Sequence, residues 1–356
     1  MKSLMQLHSP LQLHHDVNLA AYHTFGIEQL CHTLVFIETV DDLKEVYRSP
    51  LLKALPKLML GKGSNMLFTE TYQGLIMVNR MLGIKHTQDE DFHYLHVEGG
   101  EDWPDLVEWS INENISGLEN LALIPGCAGS APIQNIGAYG VEFQDVCEYV
   151  DYLCLDSLQV KRLTKEECAF GYRDSIFKKT LYNKAIVVAV GLKLTKHWQP
   201  NINYGPLKEL GEDCSARQVF ERVCQVRSEK LPNPAVIGNA GSFFKNPVVI
   251  EQHFEMLKSS FPDIVAYPVA DGVKLAAGWL IEHAGLKGTV HGGAQVHPNQ
   301  SLVLINKGNA TAQDIVELAG IVRSKVLETY GVLLEHEVRF MGRDKETYLS
   351  CLIGES

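Results

Sequence analysis

Residues 124–140, IPGCAGSAPIQNIGAYG, place four glycines and two prolines in one short stretch. Such a composition requires unusual backbone angles, or a close approach of the backbone to a flat or charged group. A diphosphate held by backbone N–H groups fits it, and so does a turn-rich crossover between two subdomains. A second glycine-rich segment, GKGSN at residues 61–65, directly follows a predicted strand. It lacks the Gly-Lys-Ser/Thr ending of a Walker loop, so the two segments by themselves leave both interpretations open.

Short strands and helices alternate around these two segments. Apolar runs bounded by Gly, Asn and Pro predict strands at residues 33–37, 58–60, 74–79, 94–97, 146–155, 185–194, 301–305 and 332–340. Helical periodicity predicts helices at residues 41–48, 103–112, 216–230, 273–283 and 311–330, the fourth closed by Gly285 and the fifth begun by Thr311. The regular βαβ alternation of a doubly wound domain is missing. The pattern therefore predicts an α+β or mixed α/β fold.

The chain is acidic and of ordinary globular composition. Its 356 residues include 32 Lys and Arg against 43 Asp and Glu, a formal net charge of −11. This balance argues against a nucleic-acid partner, because phosphate binding needs a cationic surface. The length predicts two or three domains. We also expect no membrane insertion and a cytoplasmic location, since the sequence has neither an apolar run of spanning length nor a secretory signal in residues 1–22.

Cysteine and histidine spacing argues against a metal centre. The 8 cysteines form no C-x-x-C pair, and several lie beside apolar residues, which favours free thiols in a reducing compartment. The 14 histidines show neither H-x-x-x-H nor H-E-x-x-H spacing. We therefore predict no catalytic metal.

Several further motifs extend the pattern. In chain order they are FGYRDS at residues 170–175, NYG at 203–205, KLP at 230–232, GNAGSFFKNP at 238–247 and LEHEVRF at 334–340. Together with the two glycine-rich segments they span about residues 22–342. The sequence resembles the UDP-N-acetylenolpyruvoylglucosamine reductase family, whose members are flavoenzymes that complete UDP-N-acetylmuramate. The NYG segment is similar to the tyrosine-bearing loop of the type I branch.

The resemblance implies a fold, a domain division and a cofactor. An FAD-binding domain of the vanillyl-alcohol-oxidase or PCMH type, built from two α+β subdomains, would precede a C-terminal α/β domain for the UDP-sugar. The expected bounds are 1–82 for the first subdomain, with 341–356 packing back on it, then 83–214 and 215–340. FAD would be held non-covalently by loops rather than by a G-x-G-x-x-G fingerprint. The implied cofactor contacts are Gly61, Gly63, Ser64, Asn65, Pro125, Gly126, Gly129, Ser130, Gln134, Asn135, Gly137, Ala138, Tyr139 and Gly140.

The resemblance also implies a reaction. NADPH would reduce the flavin, which would pass hydride to C3 of an enolpyruvyl ether, and Ser242 would give a proton to C2. Arg173 would bind the carboxylate and stabilise enolate charge, because its planar fork suits that group. Without the resemblance, Ser242 would be interpreted as a turn residue and Arg173 as the partner of Asp174 in a surface ion pair.

Glu337 would be the second stabilising residue, provided that burial keeps it protonated or that it donates through water. Its alternative role is an ion pair with Arg339, two residues along and so on the same face of a strand. Glu335 shares that alternation and is the reserve candidate. His336, between the two glutamates, and His23 depart from the family pattern, which has Pro and Asn there. We hypothesise that His336 shifts the pH dependence of Glu337.

The implied contacts to the nucleotide sugar come from polar and cationic side chains. Tyr204 and Lys230 would bind the diphosphate, with Arg227 a further candidate, and Tyr172 would support flavin or substrate. Asn246 and Gln300 would hydrogen-bond the carboxylate, uridine or sugar. We expect small-molecule partners, namely NADPH and a UDP-sugar, and a monomer. Two alternatives stay open: another flavoenzyme of the same fold, such as a small alcohol or sugar oxidase with flavin linked through Cys127, and a flavin-free nucleotide-sugar binding protein.

Overall fold

A computed structural model describes residues 11–354 of the chain in two compact units. The first unit comprises residues 11–17, 31–61 and 73–223, and the second comprises residues 18–30, 62–72 and 224–354. Residues 1–10 and 355–356, which fall at the two ends of the predicted first subdomain, lie outside the described residues.

Strands and helices are interspersed along the chain. The strands are β1 (Leu13–Asn18), β2 (Leu30–Ile37), β3 (Lys57–Leu60), β4 (Met66–Phe68), β5 (Tyr72–Asn79), β6 (Ile84–Gln88), β7 (Phe92–Glu98), β8 (Gly137–Ala138), β9 (Val141–Glu142), β10 (Cys147–Cys154), β11 (Gln159–Thr164), β12 (Ala185–Thr195), β13 (Asn239–Ser242), β14 (Val248–Val249), β15 (Ala266–Val269), β16 (Gly272–Leu275), β17 (Val290–His291), β18 (Ala294–Val296), β19 (Val303–Asn306), β20 (Arg339–Met341) and β21 (Glu346–Thr347). The helices are α1 (Val40–Arg48), α2 (Trp103–Asn112), α3 (Phe143–Val146), α4 (Ala216–Lys230), α5 (Glu251–Ser260), α6 (Ala277–His283), α7 (Ala312–Tyr330) and α8 (Leu349–Leu352). This mixture confirms the predicted α+β class.

The first unit is built on two sheets. A four-stranded sheet runs β1-β2-β5-β3, and a five-stranded sheet runs β11-β10-β12-β7-β6. Apolar side chains of both sheets share one core with α1, among them Val35, Leu43 and Val188. Local chemistry fixes the helix starts: Thr39 and Asp42 form a capping box on α1, and Asp102 caps α2 ahead of its first-turn proline.

The second unit surrounds α7 with small sheets. They run β13-β19-β18-β17, β14-β16-β15 and β21-β20-β4. Thr311 caps α7 as predicted, because its Oγ1 accepts the N–H of Asp314 at 3.1 Å while the Asp314 carboxylate accepts the N–H of Thr311 at 2.8 Å. Gly331, at φ 65°, ends the helix in the left-handed conformation. The buried face of α7, including Ile315, forms the centre of this unit's core.

Two predicted elements are wrong in extent. The helix predicted at 273–283 begins only at Ala277, because residues 272–275 form β16 and pair with β14 and β15. The strand predicted at 332–340 reaches strand geometry only at Arg339–Met341, apart from an isolated bridge between Phe244 and His336. In both places the apolar pattern is genuine, but ladder pairing with other strands, which apolar periodicity does not record, decides the element. Helix α5 was missed by the sequence analysis.

Candidate active site

The stretch 124–140 folds back on its own chain at Gly129. This residue lies in a 3₁₀ turn, Ala128–Ser130, and its N–H donates to the carbonyl of Gly99 at 2.9 Å. A Cβ at Gly129 would lie 2.8 Å from that carbonyl oxygen and 3.0 Å from Gly99 Cα. The close backbone approach that the sequence predicts is therefore, at this glycine, an approach of one part of the protein to another.

The same stretch ends in a tight hairpin. Strands β8 and β9 pair through Gly137 with Glu142 and through Ala138 with Val141, which leaves Tyr139 and Gly140 as a two-residue turn. Both turn residues have positive φ, 50° and 82°, the requirement of a type I′ turn. The hairpin places the half-exposed Tyr139 at its tip.

Asn135 holds the stretch together from inside. Its side chain is fully buried, and its Nδ2 donates to Glu142 Oε2 at 2.8 Å and to the Gly171 carbonyl at 3.1 Å. Its Oδ1 accepts the N–H of Gln144 at 2.9 Å. Both hydrogens of the amide are thus used within the protein, so the position of Asn135 fits a role in shaping the stretch 124–140.

The GKGSN segment contributes to both units. In the first, a Cβ at Gly61 would come within 2.5 Å of Cys127 Sγ, so the two glycine-rich segments meet there. In the second, Gly63 has φ 58° and its carbonyl accepts the N–H of Thr24 at 3.2 Å. Asn65 then binds the segment that carries Glu337: its Nδ2 donates to the Glu337 carbonyl at 3.3 Å.

Ser242 lies at a bulge at the end of β13. Asn239 pairs with Ile305 and Ser242 with Val303, so β13 contains one residue more than its partner between the two pairs. Gly241, at φ 70°, supplies the left-handed residue that such a bulge needs, and Ser242 is exposed.

Glu337 lies across from this bulge in the second unit. Its N–H donates to the carbonyl of Phe243, the residue after Ser242, at 2.8 Å. This bond joins the segments that carry Ser242 and Glu337, which are 95 positions apart in the sequence. His336 precedes Glu337 in the sequence. Its Nδ1 donates to the Val338 carbonyl at 2.7 Å, and burial lowers the pKa of its imidazole. His336 therefore favours its neutral form beside Glu337.

The other charged residues around Glu337 have partners of their own. Glu335 pairs with Lys245 at 3.0 Å, with 74% of its side chain exposed, in an ordinary surface ion pair. Arg339 binds Glu346 through two hydrogen bonds, of 3.1 and 2.8 Å. The geometry thus gives Glu335 a surface role and gives Arg339 a partner other than Glu337.

Arg173 lies in the first unit, at the tip of a tight turn. Gly171 and Asp174 exchange two backbone hydrogen bonds, of 3.0 and 3.2 Å, and leave Tyr172 and Arg173 between them. Arg173 has φ 53°, an unfavourable value for a residue with a side chain. The turn is bound to the stretch 124–140, since the Gly171 carbonyl accepts a hydrogen bond from Asn135 Nδ2.

The ion pair that would explain Arg173 as a surface residue forms with a different cation. Asp174 pairs with Lys179. The Arg173 guanidinium lies 5.7 Å from the ring centroid of Tyr172, so these two predicted site residues contact each other.

The predicted substrate contacts are divided between the two units. Tyr204 belongs to the first unit, where its ring meets the ring of Tyr139 edge-on at a centroid distance of 6.1 Å. In the second unit Arg227 and Lys230 occupy the last turn of α4. Asn246 and Gln300 both reach the start of α6. Asn246 Oδ1 accepts the N–H of Ala277 at 2.9 Å, and Gln300 Oε1 lies 3.3 Å from where a Cβ on Gly278 would be.

Neither a cluster of metal-ligating side chains nor a membrane-spanning helix is found in the part of the chain that the structure describes. Within residues 11–354, no three His, Cys, Asp or Glu side chains are grouped so that they could hold a metal ion. Over the same residues, no helix combines the length and the apolar character needed to cross a membrane.

Comparison with known proteins decides the family. A family model described as the UDP-N-acetylenolpyruvoylglucosamine reductase C-terminal domain matches residues 233–341, and a model of an FAD binding domain matches residues 32–160. The UDP-N-acetylenolpyruvoylglucosamine reductase of Vibrio cholerae serotype O1 is 62% identical over 345 residues, 97% of this chain and 99% of that protein. The chain belongs to the UDP-N-acetylenolpyruvoylglucosamine reductase family.

Other members of this family support the assignment. The enzyme of the same name from Pasteurella multocida is 54% identical over 92% of this chain and 97% of that protein. The crystal structure of the Thermus caldophilus reductase aligns with a TM-score of 0.64 at 26% identity and covers 93% of this chain and 98% of that one. These matches confirm the family resemblance, the fold class and FAD as cofactor.

The residues present fit an FAD site of this family. The stretch 124–140 exposes a hairpin tip with two left-handed residues, and Gly61 lies against the Cys127 side chain of the same stretch. Glycines at such positions let a planar or anionic group approach the backbone. Cys127, the candidate for a covalent flavin link, is 3% exposed and faces Gly61, which makes its thiol a poor partner for a flavin ring.

The sequence analysis missed two residues beside this site, Glu119 and Asn120. Both are buried in a 3₁₀ turn, Glu119–Leu121, at 2% and 1% exposure. The available signal was a pair of polar residues inside the apolar run GLENLALI, residues 117–124, because a buried carboxylate or amide needs hydrogen-bond partners.

His23 gives the second unit a pH-dependent stability. Its Nε2 donates to the Ile27 carbonyl at 2.9 Å, its Nδ1 is buried without a partner among residues 11–354, and burial lowers its pKa from 6.5. Below pH 6.5 the unfolded chain takes up a proton at His23 more readily than the folded chain does. The free energy of unfolding therefore decreases as the pH falls through this range. We expect the melting temperature, measured by calorimetry, to fall less in His23→Asn than in wild type between pH 8 and pH 5.5. Equal losses would contradict this assignment.

Proposed function

We propose that Ser242, Arg173 and Glu337 carry the chemistry of the reduction that this family catalyses. As a member of the family, the chain is an FAD-dependent oxidoreductase of peptidoglycan precursor synthesis. It reduces UDP-N-acetylglucosamine enolpyruvate with NADPH as reductant. The single observation that supports the proposal is the backbone hydrogen bond from the Glu337 N–H to the Phe243 carbonyl, which joins the segment of Glu337 to the residue after the exposed Ser242.

The protonation step needs an acid that faces the substrate. Bound FAD supplies hydride transfer from NADPH to C3 of the enolpyruvyl group. Negative charge then develops toward C2 and the carboxylate, and the Ser242 hydroxyl gives the proton to C2. A serine is ordinarily a weak acid, but an enolate-like acceptor is strongly basic, and a nearby cation favours the alkoxide that remains.

Arg173 and Glu337 act on the developing charge. The Arg173 guanidinium binds the carboxylate through parallel N–H donors, which strengthen as charge accumulates there. Its left-handed backbone supports this role, because strain at a residue with a side chain is typical of functional positions. Glu337, which is half-buried, stabilises the same charge either as a protonated carboxyl group or by donating through water.

The remaining contacts follow the family pattern. We infer that Tyr204, Lys230 and Arg227 bind the diphosphate of the substrate, that Asn246 and Gln300 hydrogen-bond its carboxylate, uridine or sugar, and that Tyr172 supports the flavin or the substrate. FAD is held non-covalently by the residues predicted from the two glycine-rich segments. We further propose the domain bounds predicted from the sequence, a monomeric enzyme and a cytoplasmic location.

The test is NADPH oxidation with and without the acceptor. We expect purified protein to be yellow, to release FAD on denaturation, and to oxidise NADPH rapidly only when UDP-N-acetylglucosamine enolpyruvate is added. Turnover driven by oxygen and a small alcohol or sugar would support the oxidase alternative instead. A colourless protein that binds the UDP-sugar would support the flavin-free alternative.

The two glutamates of LEHEVRF provide a matched pair of variants. We expect Glu337→Gln to lower kcat by about 10- to 100-fold, because each interaction made mainly in the transition state contributes on that scale. Glu335→Gln should leave kcat near the wild-type value, since an exposed ion pair such as the one with Lys245 contributes little. Steady-state kinetics on both variants decides the assignment. A loss confined to Glu335→Gln would reverse it.

A further inference from the structure

Glu119 and Asn120 lie next to the cofactor hairpin, in the first unit. Asn120 Nδ2 donates one hydrogen to the Tyr139 carbonyl at 3.0 Å and the other to the Asn201 carbonyl at 2.8 Å. Because both partners can only accept, the two contacts also fix which end of the amide is nitrogen. The two hydrogens of one amide nitrogen thus join these two carbonyls.

Asn201 returns a second bond to the same turn. Its Nδ2 donates to the Gly140 carbonyl at 3.1 Å. The carbonyls of both turn residues, Tyr139 and Gly140, are therefore bound by amide side chains. Three residues beyond Asn201, the ring of Tyr204 packs edge-on against Tyr139. The segment that carries Tyr204 is thus joined to the hairpin tip by two direct contacts and by the bridging side chain of Asn120.

Glu119 holds the beginning of that segment. Its Oε1 accepts the indole N–H of Trp198 at 2.6 Å, and its Oε2 accepts the N–H of Gly117 at 2.6 Å. Burial raises the pKa of this carboxyl group, and the backbone hydrogen bond from Gly117 opposes that shift. A buried carboxyl group must keep its hydrogen bonds, because no water replaces them. The two bonds of Glu119 therefore fix the position of Trp198 and of the chain that follows it.

We propose that Asn120, supported by Glu119, is a positioning residue for the reaction: it fixes residues 198–204 to the hairpin of residues 137–142. The substrate contact Tyr204 and the cofactor contact Tyr139 are then held as one piece. This inference rests on the proposed function, since that function assigns Tyr204 to the UDP-sugar and Tyr139 to FAD. It predicts that loss of Asn120 affects both ligands, although both hydrogens of its amide are used within the protein.

Asn120→Asp removes both donors and directs a carboxylate at two carbonyl oxygens. We expect the KM for the UDP-sugar to rise about 10- to 100-fold, the scale set by one or two unsatisfied buried carbonyls, with a smaller change in kcat. The dissociation constant of FAD, measured by fluorescence titration of the apoprotein, should rise too. The control is Asn306→Asp, a buried asparagine of the second unit that also donates to a backbone carbonyl, Phe25 at 3.0 Å. Asn306→Asp should lower the melting temperature but leave the KM for the UDP-sugar and the dissociation constant of FAD at their wild-type values.

A double-mutant cycle tests whether Asn120 acts through Tyr204. In a Tyr204→Ala background, Asn120→Asp should raise the KM by much less than in wild type, because residues acting on one contact are not additive. A KM increase that is the same in both backgrounds would overturn the inference, as would FAD affinity and KM values equal to those of wild type. If wild-type protein fails to turn over the UDP-sugar, the proposed function fails instead, and the FAD titration of Asn120→Asp still decides the inference.

Discussion

Ser242→Ala is expected to separate the two halves of the reaction. NADPH should still reduce the flavin at nearly the wild-type rate, because the Ser242 hydroxyl has no part in that transfer. Oxidation of the reduced enzyme by UDP-N-acetylglucosamine enolpyruvate should slow by about 10²- to 10⁴-fold, the contribution of a positioned general acid. Anaerobic stopped-flow absorbance of the flavin measures both steps on the same sample.

Ser301→Ala is the matched control for this variant. Ser301 is 2% exposed in the same unit, and its Oγ has no hydrogen-bond partner among residues 11–354. Removing that oxygen should leave both steps unchanged. An equal slowing of both steps in Ser242→Ala would indicate a folding role for Ser242. Unaltered oxidation of the reduced enzyme would remove Ser242 as the acid.

Gly129→Ala is expected to abolish FAD retention. The new Cβ would lie 2.8 Å from the Gly99 carbonyl oxygen and 3.0 Å from Gly99 Cα, both backbone atoms that cannot rotate away. Overpacking of this kind costs about 1–3 kcal/mol, and here the strain falls directly on the cofactor loop. We expect the purified variant to have little absorbance at flavin wavelengths and a lowered melting temperature.

The matched control replaces a glycine that has room for a methyl group. At Gly342 a Cβ would meet its nearest neighbour, Glu70 Oε1, at an ordinary contact distance of 3.5 Å. Gly342→Ala should therefore retain FAD and most of its stability. If Gly129→Ala bound FAD with wild-type affinity, the loop would be more adaptable than the contact with Gly99 implies.

The sequence could predict the elements whose signals are local. The capping box of Thr311 and the ends of α2 and α4 depend on neighbouring residues, and the structure confirms them. The helix predicted across Val273 was wrong because that segment forms a strand that pairs antiparallel with β14 and with β15. Apolar periodicity along one segment does not record such pairing. Propensity is weak where cross-strand partners decide the element.

The order and chemistry of the motifs by themselves determined the family, and with it the cofactor and the reaction. Tertiary structure alone joined the segment of Glu337 to Phe243, the residue after Ser242, and paired Glu335 with Lys245. It alone showed that Asn120 joins Tyr139 to the segment of Tyr204. The physical reason is that residue types record which chemistry is possible, whereas backbone pairing between distant segments decides which side chains meet.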